Sequence, residues 1–298
     1  YDAQGKVEWA KSIGEISEDA INSVSGTSDG GYIVGGYFRS NGITVGDYTL
    51  TNSGGTDGML IKYNAQGEVE WAKSIGGSSS DYINSVTETS DGEYIVGGYF
   101  NSNITVGDYT LTNSGSTDGM IIKYDAQGKV QWAKSIGGSY YDYINSVSET
   151  SDGGYIVGGD FESDSITVGD YTLTNAGGRD GMIIKYNAKG EVEWAKSIGG
   201  SYYDSIYSVT ETSDGGYIAG GRFGGSITVG YYTLTNAGSE DGMVIKYDAQ
   251  GEVEWAKGIG GSSSDYINSV AGTSDGSYIA GGYFQSSKIE TDGHTLTN

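Results

Sequence analysis

The chain has no cysteine and no proline among its 298 residues, and its one histidine is His294. Without cysteine it can form neither disulfides nor thiolate metal sites. A lone imidazole would need an oriented partner and a nucleophile to catalyse anything. His294 lies in the most divergent stretch, where an exposed histidine is expected. Cations are scarce as well: 16 Lys and Arg stand against 39 Asp and Glu, a formal net charge of −23. Such a surface repels phosphate backbones, so nucleic acid is excluded as a partner class. The same charge favours solubility. No apolar run approaches the roughly 20 residues a membrane helix needs, so no membrane insertion is expected. Nothing has the build of a signal peptide. The chain opens at Tyr1, as a mature product or an excised fragment would. No segment sustains a helical apolar period, and glycine is too dense for one.

What is present is repetition. Trp9, Trp71, Trp132, Trp194 and Trp255 follow one another at 62, 61, 62 and 61 residues. Around each runs nearly the same text, from GKVEWAKSIG to GEVEWAKGIGG. INSV, SDGGYIVGGYF and ITVGDYTLTN recur in step, with small variations. DGM[LIV]IKY occurs only four times, carrying the four methionines Met59, Met120, Met182 and Met243. The expected organisation is one domain over 1–298, built of repeats 1–62, 63–123, 124–185, 186–246 and 247–298. The 26 tyrosines, five tryptophans and many Ile and Val supply a core, which separates the chain from acidic disordered sequences.

One repeat, 81–142, reads as follows. Tyr82 to Thr89 is a strand, Ser90-Asp91-Gly92-Glu93 a tight turn, and Tyr94 to Phe100 a second strand. Asp-Gly supplies the positive φ such turns require. Gly97 and Gly98 inside the second strand mark a bulge or a close backbone approach. Ile104 to Asn113 reads as a small hairpin turning at Gly107-Asp108. Met120 to Tyr124 is a third strand, and Lys129 to Ile136 a fourth. Four antiparallel strands per 61-residue unit, five times over, describe an all-β chain with the β-propeller fold class. A four-stranded sheet of this size is too small to stand alone and must hide its faces against its neighbours. The small Ile-Asn-Ser-Val strand suits the crowded inner position. The tryptophan strand would lie outermost as structural core, each indole filling the gap between blades. Five Trp strands against four DGM strands leave one blade short. Either that blade is incomplete, with self-assembly through it as one consequence, or the natural protein continues and this is a cut piece, or residues 1 to 14 complete the last blade and close the ring.

The text TSDGGYIVGGYF…ITVGDYTLTN…DGMIIKYDAQGEVEWAKSIGG resembles the bacterial SBBP-type β-propeller repeat, and the likeness runs through every unit. The resemblance implies a propeller in a secreted or surface protein, often beside adhesion modules, with no common catalytic residue. Asp125 to Trp132 is also similar to the tryptophan-docking repeat of quinoprotein propellers. That family needs further acidic and basic residues and a metal site, with no unique counterparts here, so no cofactor and no metal are expected.

Candidate chemistry is repeated rather than unique. Asp29, Asp91, Asp152, Asp214 and Asp275 sit in Ser-Asp-Gly turns without the remaining ligands of a calcium loop, and read as turn formers. Asp19, Asp81, Asp142, Asp204 and Asp265 precede the Ile-Asn-Ser-Val strand. They read as caps accepting backbone N–H bonds, with a ring of carboxylates gathering a cation as the alternative. Glycoside hydrolysis needs two carboxylates in unlike environments, which five-fold repetition does not supply. Lysines in Ile-Lys-Tyr and Trp-Ala-Lys read as solvated or ion-paired. The repeats differ mostly in their longer loops, and there Tyr140, Tyr141, Tyr202 and Tyr203 suit sugar faces or protein contacts. The expectation is a non-enzymatic, extracellular or cell-surface module that binds a protein or a surface glycan. The alternative is a structural segment of a long repeat polymer, such as a stalk or filament.

Overall fold

The computed structural model describes residues 3–298, and among these every regular element is a strand. The first repeat contributes β1 (Asp19–Gly26), β2 (Tyr32–Phe38), β3 (Gly42–Val45), β4 (Tyr48–Thr51), β5 (Asp57–Tyr63) and β6 (Val69–Ile75). The second contributes β7 (Asp81–Glu88), β8 (Tyr94–Phe100), β9 (Ile104–Val106), β10 (Tyr109–Leu111), β11 (Asp118–Tyr124) and β12 (Val130–Ile136). The third runs through β13 (Asp142–Glu149), β14 (Tyr155–Phe161), β15 (Ser165–Val168), β16 (Tyr171–Thr174), β17 (Asp180–Tyr186) and β18 (Val192–Ile198). The fourth runs through β19 (Ser205–Glu211), β20 (Tyr217–Phe223), β21 (Ser226–Val229), β22 (Tyr232–Thr235), β23 (Asp241–Tyr247) and β24 (Val253–Ile259). The fifth has only β25 (Asp265–Gly272), β26 (Tyr278–Phe284), β27 (Lys288–Thr291) and β28 (His294–Thr297).

Each of the first four repeats forms a four-stranded sheet in the order first, second, fifth, sixth strand, with the third and fourth as a separate two-stranded ribbon. The chain divides into two compact units, Tyr1–Thr112 with Ile122–Lys134 and Asn113–Ile121 with Ser135–Asn298. The strand, turn and hairpin positions expected for residues 81–142 agree with β7 to β12 to within about two residues, the usual end uncertainty.

The fifth repeat is short, as the missing DGM strand implied, and residues 1 to 14 do not complete it. β25 and β26 form a sheet of two strands. Of the segment 1 to 14, residues 1 and 2 lie outside the described residues, and residues 3–14 form no strand. What fixes this segment is Trp9, whose ring lies 5.5 Å from that of Tyr32 and 6.1 Å from that of Tyr63. The indole thus docks on the sheet that follows it instead of bringing a strand to the last one.

The glycine pair in every second strand has two separate causes. A side chain on Gly36, Gly159 or Gly221 would drive its Cβ to within about 2 Å of the Ala20, Tyr143 or Ser205 carbonyl. That is the bulge, where the register of the first strand slips between Ile21 and Ser23, Ile144 and Ser146, and Ile206 and Ser208. The preceding glycine faces the next sheet. A Cβ on Gly158 would lie 2.7 Å from Ile206, and one on Gly220 would lie 2.5 Å from Val270.

The Ile-Asn-Ser-Val strands are stitched to one another by side chains. Asn22 donates to the Ile83 carbonyl at 2.8 Å and Asn145 to that of Ile206 at 3.0 Å. The hydroxyls of Ser23, Ser146 and Ser208 accept from the Val86, Val209 and Val270 N–H at 3.1, 3.2 and 3.1 Å. Small polar residues stand there because neighbouring backbones come close enough to need bridging donors and acceptors. The DGM strands, by contrast, are buried at every position.

Candidate functional site

Two sets of repeated polar residues prove to be structural. In the pre-strand series, Asp81 accepts from the Gly77 and Asn101 N–H at 2.7 and 3.1 Å, and Asp204 from those of Gly200 and Gly224 at 2.8 and 3.0 Å. Each cap is accompanied by the aspartate that opens the preceding DGM strand. A Cβ on Gly199 would lie 2.4 Å from the Asp180 carboxylate and 2.9 Å from that of Asp204, so both crowd one glycine. Oδ1 of Asp57, Asp118, Asp180 and Asp241 is buried without a hydrogen-bond partner. Burial pushes Asp81, Asp118, Asp180 and Asp204 up to about 6, with the neighbouring charge adding for Asp81, Asp118 and Asp204.

The second set bears out the ion-paired reading of the Ile-Lys-Tyr lysines over the solvated one, for they are buried. Lys62, Lys185 and Lys246 are about 1% exposed. Each bridges the turn aspartate and the glutamate before tryptophan: Lys62 to Asp29 and Glu70 at 2.8 and 3.0 Å, Lys185 to Asp152 and Glu193 at 2.8 and 3.0 Å, Lys246 to Asp214 and Glu254 at 3.0 Å each. In the second repeat Gln131 replaces that glutamate, and Glu93 replaces the turn glycine and takes Lys123 at 2.7 Å. Asp29 is held down to about 2 chiefly by Lys62, and Asp214 chiefly by Thr212 and the Gly216 N–H of its own turn with Lys246 adding; at Asp152 burial is the largest influence and raises it, yet Lys185, Thr150 and the Gly154 N–H outweigh it and hold it at about 2 as well.

The residues that are not repeated come together. Two positions at one end of the sheets diverge in both the third and fourth repeats. Where other repeats carry Tyr37, Tyr99 and Tyr283, these carry Asp160 and Arg222; where others carry Thr56 and Thr117, these carry Arg179 and Glu240. The fourth repeat also exchanges the Tyr and Asn of its first strand for Ser205 and Tyr207. All lie in the second compact unit, and they touch. Arg179 sits 3.3 Å from Asp160 and 3.2 Å from Glu162, with its guanidinium 5.0 and 5.8 Å from the Tyr143 and Tyr203 rings. Arg222 pairs with Glu240 at 3.1 Å and packs 5.8 and 5.1 Å from the Tyr207 and Tyr266 rings. The Tyr266 hydroxyl donates to Glu240. Asp160 is fully buried; burial lifts it to about 6 although Arg179, Asn145 and Arg222 pull the other way. The Nε of both arginines is buried without a partner. Unsatisfied donors and a high-pKa acid beside aromatic faces suit a polar, ring-bearing ligand better than a packed core.

The exposed tyrosines expected to bind sit around this cluster. The Glu162 N–H donates to the Tyr141 carbonyl at 2.9 Å and the Arg179 N–H to that of Tyr202 at 3.1 Å. The Tyr140 N–H donates to the Ser163 hydroxyl at 3.0 Å. Tyr202 lies flat on Gly224-Gly225, where a Cβ on Gly225 would meet its ring at 2.6 Å. The structure thus joins the two tyrosine pairs through Glu162 and Arg179. Asp160, Arg179, Arg222 and Glu240 were missed because divergence between the repeats was followed only through the longer loops. The signal that finds them is the same disagreement read within and at the ends of the strands.

The remaining expectations fall out simply. His294 is exposed on β28. Trp71 packs 5.7 Å from Tyr94 and donates to the Ala126 carbonyl at 3.1 Å; Trp194 packs 5.6 and 6.5 Å from Tyr217 and Tyr247. Trp132 is half-buried, with the Lys134 ammonium 5.8 Å from its ring. Among the described residues, no group of three or more His, Cys, Asp or Glu is placed to hold a metal, and no helix is long and apolar enough to cross a membrane.

No family model matches the chain. It is 23% identical over 354 residues to the uncharacterized WD repeat-containing protein L264 of Acanthamoeba polyphaga mimivirus, a match covering 96% of this chain and 26% of that protein. It is 26% identical over 164 residues to the regulatory protein FlaEY of Caulobacter vibrioides, covering 52% of this chain and 17% of that one. The chain thus spans about a quarter or less of the curated relatives it matches. Among solved structures, the Neurospora crassa Pan2 WD40 domain aligns with a TM-score of 0.42 at 11% identity, covering 91% of this chain and 74% of that one. The extracellular domain of the two component system BT4673 from B. thetaiotaomicron aligns at 0.43 and 12%, covering 94% and 33%. The chain is all-β, made of repeated four-stranded antiparallel sheets like those of WD-repeat propellers.

Proposed function

We propose that this chain is a non-enzymatic propeller of the SBBP type in an extracellular or cell-surface protein, and that it binds another protein or a surface glycan. The observation that carries the reading is the unique cluster of Asp160, Arg179, Arg222 and Glu240 between exposed tyrosine loops. Divergent residues of a duplicated scaffold that meet in one polar patch support its specialisation there. Exposed aromatic rings, guanidinium donors and a carboxylate are the usual furniture of sugar and peptide recognition. The test is a glycan array and a panel of surface proteins probed with the chain and with its Arg179→Ala and Tyr203→Ala variants. Binding that falls about tenfold or more in both variants is expected of anchor residues. Binding untouched by either variant, or none at all, overturns the reading.

A further inference from the structure

One seam between repeats carries like charges where its sibling carries opposite ones. The glycine of the turn before the tryptophan strand lies against the tryptophan of the preceding repeat, Gly67 on Trp9, Gly128 on Trp71 and Gly251 on Trp194. In the fourth repeat the residue after that glycine is Glu252, and Lys196 of the preceding Trp-Ala-Lys closes on it at 2.9 Å. The second repeat is built alike. Trp71 donates to the Ala126 carbonyl at 3.1 Å, and a Cβ on Gly128 would lie 3.0 Å from the Trp71 ring and 3.2 Å from Lys73 Cε. Yet the residue after Gly128 is Lys129, so two ammonium groups stand where the sibling seam has an ion pair.

Nothing in the chain neutralises them. Carboxylates outnumber cations 39 to 16, but neither Lys73 nor Lys129 has an acidic partner among the described residues. The glutamate before tryptophan is lost here as well, with Gln131 in the place of Glu254. Asp125, the acid nearest Lys129 in the chain, is occupied by the Gln127 and Lys129 N–H at 3.0 and 2.8 Å and by the Gln131 amide at 3.0 Å. Lys73, Lys129, Ser74, Gln127 and Tyr124 line a cavity of about 300 Å³, several times the roughly 30 Å³ of one water. Both lysines are exposed and Tyr124 is buried, its hydroxyl without a hydrogen-bond partner. That orphan hydroxyl recurs at Tyr63, Tyr186 and Tyr247, whereas the turns of the first, third and fourth repeats that precede β6, β18 and β24 carry Glu68, Glu191 and Glu252 where this one has Lys129.

We infer that this cavity is an anion site for a dianionic phosphate group, free or as the monoester of a sugar. Two compact ammonium charges facing one space repel each other until a dianion enters, and each then donates a charge-assisted hydrogen bond to it. A phosphate monoester carries about −1.5 to −2 at neutral pH, which matches the pair. The Tyr124 and Ser74 hydroxyls supply neutral donors at the cavity wall. The site lies in the first compact unit and does not rest on the Asp160 and Arg222 cluster of the second, so either reading stands if the other fails.

The test titrates the whole chain by calorimetry with inorganic phosphate, a hexose phosphate and methyl sulfate. Ionic strength is held constant, and the pH is kept above the second phosphate pKa of about 6. The expected result is saturable one-to-one binding of phosphate. Lys73→Ala and Lys129→Ala should each weaken it about tenfold or more, the loss of one charge-assisted bond. Methyl sulfate, a monoanion of similar shape, should bind more weakly than phosphate. Lys129→Glu is the decisive variant: it recreates the Lys196 and Glu252 arrangement of the fourth repeat, so it should fold as the parent does and lose phosphate binding. Tighter binding of the hexose phosphate than of the free ion points to a decorated glycan as the source, and the reverse order to the free ion; both support the site. A Lys129→Glu chain that binds phosphate like the parent, equal affinity for methyl sulfate, or no saturation in the parent overturns the inference.

Discussion

A single side chain shows how context reverses a sequence rule. Lys246 follows two apolar residues and precedes a tyrosine, as a solvent-facing strand lysine would, yet it is buried. Burial pulls its ammonium down, but Glu254 and Asp214 outweigh it, and the net direction is up. The two carboxylates are half exposed while the lysine is not. Breaking the triad from the acid side therefore leaves a buried charge unpaired, whereas removing the lysine leaves two solvated acids. Asp214→Ala with Glu254→Ala should cost about 2–3 kcal/mol in a urea melt, at the low end for a broken buried pair. Lys246→Met should lie within about 1 kcal/mol of the parent, because a methionine fills the site without desolvating a charge. Equal losses would refute the asymmetry. The sequence left an ion-paired lysine open but not its partners or its burial, because Asp214 and Lys246 lie 32 positions apart and only the sheet pairing brings them together. The exchange of Gln131 and Glu93 was the one visible trace.

At the level of strands, the turns, hairpins and four-strand order were legible because Asp-Gly turns and period-2 alternation act locally and recur in register. The bulge was half legible: the glycine pair announced a close approach but not which glycine met which neighbour. Trp9, Trp71, Trp194 and Trp255 each pack on the second strand of the sheet that follows, but they are not equivalent. Trp194 is wedged between two tyrosines and against Gly251, where a Cβ would lie 2.8 Å from the indole. Trp255 has one tyrosine and an open side. Trp194→Ala should therefore cost about 3–5 kcal/mol, the usual range for a buried indole. Trp255→Ala should cost at least about 1 kcal/mol less, since a site already open leaves a smaller cavity. Matched denaturation curves followed by circular dichroism would decide, and indistinguishable midpoints would refute the difference.

For the whole molecule the governing quantity is charge. Asp81, Asp118, Asp180 and Asp204 stand at about 6 when folded and revert toward the ordinary carboxylate value when unfolded. Between those values the folded chain holds more protons, so stability falls as pH rises from about 4 to about 6. Asp29, Asp152 and Asp214 act oppositely: held at about 2, they contribute stability that is lost as pH falls below about 4. Their half-exposed carboxylates make that second effect the smaller one. Repulsion within a chain of net charge −23 adds to the first. The melting temperature should peak near pH 4 to 5 and be several degrees lower at pH 7.5, with added salt recovering part of the difference. A melting temperature that climbs steadily from pH 5 to 7.5 would contradict the assignment. The repeat made the architecture readable and hid the candidate site, for pattern recognition rewards what recurs and a specialised patch is where recurrence fails.

The serine stitches have a genealogical consequence. At each of three described seams, the same hydroxyl meets the same valine 62 or 63 positions downstream. Excising one period anywhere between such seams re-creates the joint it removes, so copies can be gained or lost by unequal exchange without a single misfit at the new boundary. Chain length is then an inherited variable, and the arginines at positions 179 and 222 are the serial numbers by which a lineage tells its third and fourth copies apart.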